Sequence, residues 1–281
     1  MKTQFATLTL AVLGGLGAMV VPGVSQAANV GYYGMCYGGT PVQQITTAGQ
    51  TPVALASAPN TANLAGISLL WAESCGDLSD PGVATAVFNG MALIVHTRDN
   101  GSNGSYLPGN PNLGRIASYG TDINFSAGTP FLNGPGGSLN NSSLDNGNWS
   151  NHGAFTLASL PAGSSVYATT ANANEVVTFG YPYGAGRVIF SSIPLQCYLP
   201  GGNCVSIQPT AQGMQTYATN LIAWAVTGGP TTTCASEGYT GTQLNWCVKI
   251  CESGLTGKDL DVWLQRWIRQ FRKLPYCALP T

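Results

Sequence analysis

The chain has 281 residues, of which only 7% are charged, and a formal net charge of −1. From Ala28 to Thr233 the basic residues are Arg98, Arg115 and Arg187, against seven acids. A body with so few cations cannot neutralise phosphates, which excludes a nucleic-acid partner. The length suits one large domain, or one domain with a small module.

The chain opens with Lys2, an apolar run from Phe5 to Val21, Pro22, and Ser25-Gln26-Ala27. A positive start, an apolar middle and small residues at −3 and −1 predict a signal peptide over 1–27 and a secreted or periplasmic protein. No cysteine lies near the cleavage point and no second long apolar run follows, so no lipid anchor or transmembrane anchor is expected. All eight cysteines follow Ala27. An even count in an exported chain points to disulfides. The close pairs Cys197/Cys204 and Cys247/Cys251 lack the repeated C-x2-C spacing of zinc sites, and neither a metal nor a cofactor is implied.

Short apolar runs alternate with weakly helical stretches. Strands are predicted at Asn29–Met35, Pro52–Ser57, Ile67–Ala72 and Met91–His96, with helices at Pro41–Ala48 and Val83–Phe88. This alternation argues for βα units and a parallel sheet. The fourth run passes directly into His96-Thr97-Arg98-Asp99, at the carboxyl end of a strand, where ligands bind in open α/β sheets. Residues from about 100 to 152 form an insertion rich in Gly, Asn, Ser and Pro, predicted as loops with one or two short strands. Asp145-Asn146-Gly147-Asn148 misses the calcium-loop spacing and reads as a tight turn. Strands are predicted again at Ser165–Thr169, Glu175–Tyr181 and Arg187–Ser191, the last two joined by Tyr183-Gly184-Ala185-Gly186. A helix over Gln212–Val226 closes the domain, stopped by Gly228-Gly229-Pro230.

The order strand, helix, strand, then VFNGMALIVH, VVTFGYPYGAGRVIFSSIPL and NLIAWAV, resembles the class I glutamine-amidotransferase-like superfamily over Ala28–Thr227. It is most similar to the secreted and trehalose-utilisation-like branch. The resemblance implies an α/β, flavodoxin-like, mostly parallel sheet. It also places the family's nucleophilic cysteine just after Met91–His96, where this chain has none. The family's His-x-Glu pair would follow Arg187–Ser191, where the chain reads Ser192-Ile193-Pro194-Leu195-Gln196. Glutamine amidotransferase activity is therefore not expected. The trehalose-utilisation-like relatives have a histidine where His96 stands, which marks the pocket. A catalytic reading makes His96 a base or metal ligand, Asp99 its orienting carboxylate and Glu73 a second carboxylate. Arg98 and His152 would then bind the ligand. The plain alternative is an Arg98–Asp99 brace beside a hydrogen-bonded His96. Cys36 and Cys75 fall at the carboxyl edge of the sheet and are expected to join in a disulfide. Cys197 and Cys204 flank Pro200-Gly201-Gly202-Asn203, as in a small disulfide loop.

After a linker over 228–233, composition switches. Residues 234–281 hold six basic residues, four acids and two echoes of G-[YL]-T-G-x-x-L-[ND]. Thr240 with Gln243 and Thr256 with Asp259 have capping-box spacing. One predicted helix carries Leu244, Cys247, Val248 and Cys251 on a stripe. The second carries Leu260, Trp263, Leu264, Trp267, Ile268 and Phe271. A disulfide-stapled α-helical hairpin is expected, because so small a module buries too little alone. Antiparallel packing favours Cys247–Cys277 with Cys234–Cys251 among three connectivities. Arg266, Arg269, Arg272 and Lys273 line the polar side, either as a solvated face or as a contact for an anionic surface.

Two functions of the body remain open, beside a third reading in which the tail is the active part and the body a scaffold. One is a secreted, non-catalytic domain that binds a glycan, a cell-envelope component or a protein partner. The other is a hydrolase or lyase acting on a sugar-like substrate through His96, Asp99 and Glu73.

Overall fold

A computed structural model describes residues 27–73, 75–97, 104–227, 234, 239–252, 257–273 and 275. The expected signal peptide, apart from Ala27, lies outside the described residues. So do Arg98, Asp99, the linker over 228–233, Thr256, the Cys251 side chain and Cys277.

The first half of the body alternates strands and helices: β1 (Asn29–Tyr33), α1 (Val42–Thr47), β2 (Thr51–Ala54), β3 (Leu69–Glu73), α2 (Pro81–Phe88) and β4 (Ala92–His96). The insertion contributes β5 (Arg115–Gly120), β6 (Asn124–Phe125), β7 (Asn133–Gly134), β8 (Gly137–Ser138) and β9 (Asn151–Thr156). Then come β10 (Ser165–Thr169), β11 (Glu175–Tyr183), β12 (Gly186–Ser191) and α3 (Thr210–Thr227). The tail holds α4 (Gly241–Cys247), a wider turn over Val248–Glu252, and α5 (Gly257–Phe271).

β2, β1, β3, β4 and β12 pair in parallel in that order. This is the 2-1-3-4-5 order of flavodoxin-like sheets, in which the chain reverses direction between its first and third strands. Antiparallel β11, β10 and β6 extend the far side, with β9 and β5 branching from β11. β3 and β4 are buried along their whole length. Central parallel strands are covered on both faces, which is why they read as unbroken apolar runs rather than alternating ones. α2 begins before the expected Val83 because Pro81 occupies its first turn and Asp80 caps it, accepting a bond from Gly82 N–H at 2.7 Å.

One core lies between the sheet and helices α1 and α3, and includes Trp71, Ile94, Ile189, Tyr217 and Leu221. A second lies under α2 and includes Leu70, Val87, Val95, Phe155 and Phe190. The tail packs around a core of its own, with Cys234, Tyr239, Cys247, Ile250 and Trp267 buried.

The insertion is more ordered than its composition suggests, with five short strands in place of one or two. Asn220 of α3 holds it down. Its amide donates to the carbonyls of Phe131 and Gly137, and its carbonyl oxygen accepts from Gly136 N–H at 2.9 Å. Asn146 sits at φ 61°, as the tight-turn reading requires, and the Asp145 carboxylate accepts a bond from Ile123 N–H.

The structure forms Cys36–Cys75 and Cys197–Cys204. The tail corrects the expected pairing, because Cys234 bonds to Cys247, not to Cys251. Cys234 lies next to the start of α4, where its carbonyl accepts from Tyr239 N–H, so it reaches the near helix before any distant partner. Thr240 makes no side-chain cap, and Val248 and Ile268 are exposed instead of lying on the buried stripes. Trp246 takes the vacated role, packing edge-on to Trp263 and Phe271.

Candidate functional site

Four polar side chains run across adjacent strands at one level of the sheet. Register pairs Glu73 with His96, His96 with Ser191, and Ser191 with Thr178. All four are buried. They lie on the face covered by α3, whose Tyr217 presents its ring edge-on to His96 at 5.9 Å. Thr178 and Ser191 share a hydrogen bond of 2.8 Å. Glu73 accepts one from the Trp71 indole at 3.1 Å.

The electrostatics of this row follow from burial. Desolvation pushes the Glu73 carboxyl well above the usual carboxylate range, and the Trp71 hydrogen bond only partly offsets it. Desolvation lowers His96 to about 3, so its ring is neutral at ordinary pH. It raises the Tyr217 phenol to about 12, against the opposing pull of the Thr178 and Ser191 hydroxyls. Among the described residues neither nitrogen of His96 meets a hydrogen-bonding partner, and the ring lies 4.7 Å from Trp71 at a tilt of 30°. Glu73 and His96 are thus neighbours, as the sequence implied, but they are not bonded to each other and do not face solvent. The alternative of an Arg98–Asp99 brace beside His96 falls on residues outside those described.

The open site lies beside this row, at the carboxyl edge of the parallel strands. It is a cleft of about 200 Å³ lined by residues from three segments. Tyr37 comes from the loop after β1. Asn148, Trp149 and His152 come from the insertion, and Pro194, Gln196, Tyr198 and Asn203 from the loop after β12. The Gln196 side chain joins two of these segments, accepting from the backbone N–H groups of Cys36 and Tyr37 at 3.0 Å each. Gly39 lies so close to the Gln196 carbonyl that a Cβ there would overlap its oxygen, so the approach requires glycine. The Cys36–Cys75 disulfide ties the loops after β1 and β3, at the point where the strand order reverses. Cys197–Cys204 closes the loop that forms the cleft wall.

His152 is held by its backbone. Its N–H donates to the Ser192 carbonyl at 2.8 Å and its carbonyl accepts from the Arg115 guanidinium. Its ring stands between Tyr119, at 5.0 Å, and Trp149, at 5.7 Å. Tyr119 is 54% exposed and Trp149 48%, and their two rings lie 6.2 Å apart. Behind them, the Tyr198 hydroxyl donates to the Trp149 carbonyl at 3.2 Å and fixes that loop. Among the described residues, no Lys, Arg, Asp or Glu lines the cleft. Nor, among them, do three His, Cys, Asp or Glu side chains gather to hold a metal ion.

Of the catalytic and ligand-binding residues expected from sequence, His152 alone among the described residues lines the cleft, together with the expected disulfide pair Cys197 and Cys204. Glu73 and His96 lie in the buried row, and Arg98 and Asp99 fall outside the described residues. Tyr37, Trp149, Gln196 and Tyr198 join the cleft without having been expected there. Trp149 had a signal, as a lone tryptophan in a stretch of Asn, Gly and Ser with no helical or strand period to bury it.

No family model matches the chain, and no curated protein matches it. Among solved structures, it is similar to a protein of Thermoplasma acidophilum described as one of the subunits of GMP synthase, with 9% identity and a TM-score of 0.43 over 70% of this chain and 96% of that one. It is also similar to a ThuA-like protein from Parabacteroides merdae, with 13% identity and a TM-score of 0.44 over 73% and 91%. A third similarity is to an exo-β-1,4-mannosidase from Opitutaceae bacterium strain TAV5, with 11% identity and a TM-score of 0.44. That match covers 70% of this chain but only 36% of the mannosidase. These are distant likenesses of fold and carry no site residue across.

Three disulfides suit an oxidising compartment. No helix among the described residues is long and apolar enough to cross a membrane.

Proposed function

We propose that the protein is an exported, non-catalytic binding protein whose cleft takes a neutral glycan. The observation that carries this reading is the lining, where the exposed Trp149 ring, with Tyr119 beside it, stands next to amides with no charged side chain among the described residues. A sugar presents an apolar C–H face and a rim of hydroxyls. Trp149 and Tyr119 offer flat surfaces for the first, and Asn148, Asn203 and His152 offer donors and acceptors for the second. Gln196 is occupied in holding the Tyr37 loop, so it shapes the cleft.

Hydrolysis or elimination through His96, Asp99 and Glu73 is the weaker reading. A general base must reach the proton it abstracts. Glu73 and His96 are buried and neither lines the cleft.

Calorimetric titration of the full chain with a panel of neutral oligosaccharides tests the proposal. Saturable binding is expected, with Trp149→Ala weakening it by about tenfold or more and with no new reducing ends released. Unchanged affinity in Trp149→Ala, or product release that disappears in His96→Leu, would overturn it.

A further inference from the structure

A second surface lies on the tail, independent of the cleft. Most of the apolar stripe of α5 packs inside the module, with Ile268 left exposed. Trp267 is buried, and Trp263 and Phe271 pack on Trp246. The opposite side is exposed and basic, with Arg266 and Arg269 on the helix and Arg272 and Lys273 just beyond its last turn. Two of these cations are seated on rings rather than free in solvent. Arg266 lies 4.9 Å over Trp263 and Lys273 lies 5.1 Å over Tyr239.

The sequence puts no acid three or four residues from Arg266, Arg269, Arg272 or Lys273. Like charges at those spacings repel. The helix dipole favours cations near the carboxyl end, but its effect fades beyond the last turn and opposes Lys258, exposed in the first. An exposed row of cations without acids at helical spacing, about 10 Å long at the rise of a helix, is therefore better suited to an anionic partner than to stability.

We infer that this face binds a soluble polyanionic polysaccharide, one with sulfate, phosphate or carboxylate groups recurring along the chain. Charge complementarity selects a polyanion. A lipid surface is disfavoured because an interfacial helix inserts its apolar face, and here Trp267 is buried while Leu260, Trp263, Leu264 and Phe271 pack against the tail's own core. Nucleic acid is disfavoured because the rings point into the core rather than outward for base stacking.

The test uses the full chain and four probes: dextran sulfate, unsulfated dextran, a duplex DNA oligomer, and vesicles of mixed phosphatidylglycerol and phosphatidylcholine. Dextran sulfate is expected to bind, with a loss of about tenfold or more between roughly 50 and 200 mM salt. The triple variant Arg266→Gln, Arg269→Gln, Arg272→Gln is expected to lose at least about tenfold with an unchanged near-ultraviolet spectrum, while Arg269→Lys binds as the parent does. Arg269→Gln alone, a change at an exposed position, should lose several-fold even if the triple variant folds poorly. Trp149→Ala should bind dextran sulfate normally, which separates this surface from the cleft. Absence of binding, parent-like binding by both the Arg269→Gln and triple variants, or stronger capture by DNA or vesicles would overturn the inference.

Discussion

At the scale of single residues, burial disfavours charge on the row from both sides. His96 is depressed from 6.5 in an unfolded chain to about 3 in the fold. The unfolded chain therefore takes up a proton first, and stability drains away as pH falls from 6.5 toward 3. Glu73 is shifted the other way, upward from 4.5. Its unfolded form ionises while the folded form is still protonated, so stability declines as pH rises from 4.5 toward the folded value. Glu73→Gln should remove that second decline. Thermal melts of this variant should exceed the parent near pH 8, with the gain shrinking as pH falls toward 4.5 and absent below it. An equal or lower melting temperature at pH 8 would mean that Glu73 is stabilised as a carboxylate. His96→Leu should flatten the acid side of the same profile and leave glycan affinity unchanged, since His96 does not line the cleft. Sequence showed that His96 and Glu73 stood at strand ends. It did not show Ser191 and Thr178 as their companions, because a transverse row is made by register between strands distant in sequence.

At the scale of elements, the cleft depends on loops pinned by covalent and close-packed contacts. Cys36–Cys75 closes a separation of 39 residues. Replacing both cysteines by serine should cost about 3–4 kcal/mol from the loop-entropy relation, read as a lower midpoint in denaturant. Glycan affinity should fall as well, because Tyr37 follows Cys36 directly. A retained midpoint would show that Gln196 suffices to hold the loop. α3 makes a comparable demand at Gly213, where a Cβ would overlap the Ser143 carbonyl oxygen. Gly213→Ala must push the insertion away from the helix, at roughly 1–3 kcal/mol, and protease cleavage within residues 104–150 should speed up. The strands of the parallel core were legible because each is a short apolar run between turn residues. The shortest insertion strands were not, because β7 and β8 are built from Asn, Gly and Ser and have no apolar period. What orders β7 and β8 is their attachment to Asn220, a tertiary contact no local pattern carries.

At the scale of the whole molecule, charge and aromatic surface are divided between two parts. The body is poor in cations and opens an uncharged cleft among its described residues, while the tail has its own aromatic core and a basic face. Truncation after Thr227 should therefore preserve neutral-glycan binding and abolish capture of dextran sulfate. Loss of both would show that the tail completes the body's fold. The tail's helices were readable from their heptad-like apolar spacing. The cysteine pairing was not, because partner choice depends on which segment Cys234 lies against. The central claim is that the ligand sits on Trp149 and not on the buried row or the tail. The six tryptophan indole N–H resonances in an isotope-labelled sample report on all three places at once. At saturation with a neutral oligosaccharide, the Trp149 resonance should shift, while Trp71, Trp224, Trp246, Trp263 and Trp267 stay in place. A stationary Trp149, with movement at Trp71 or at the tail tryptophans, would contradict the account.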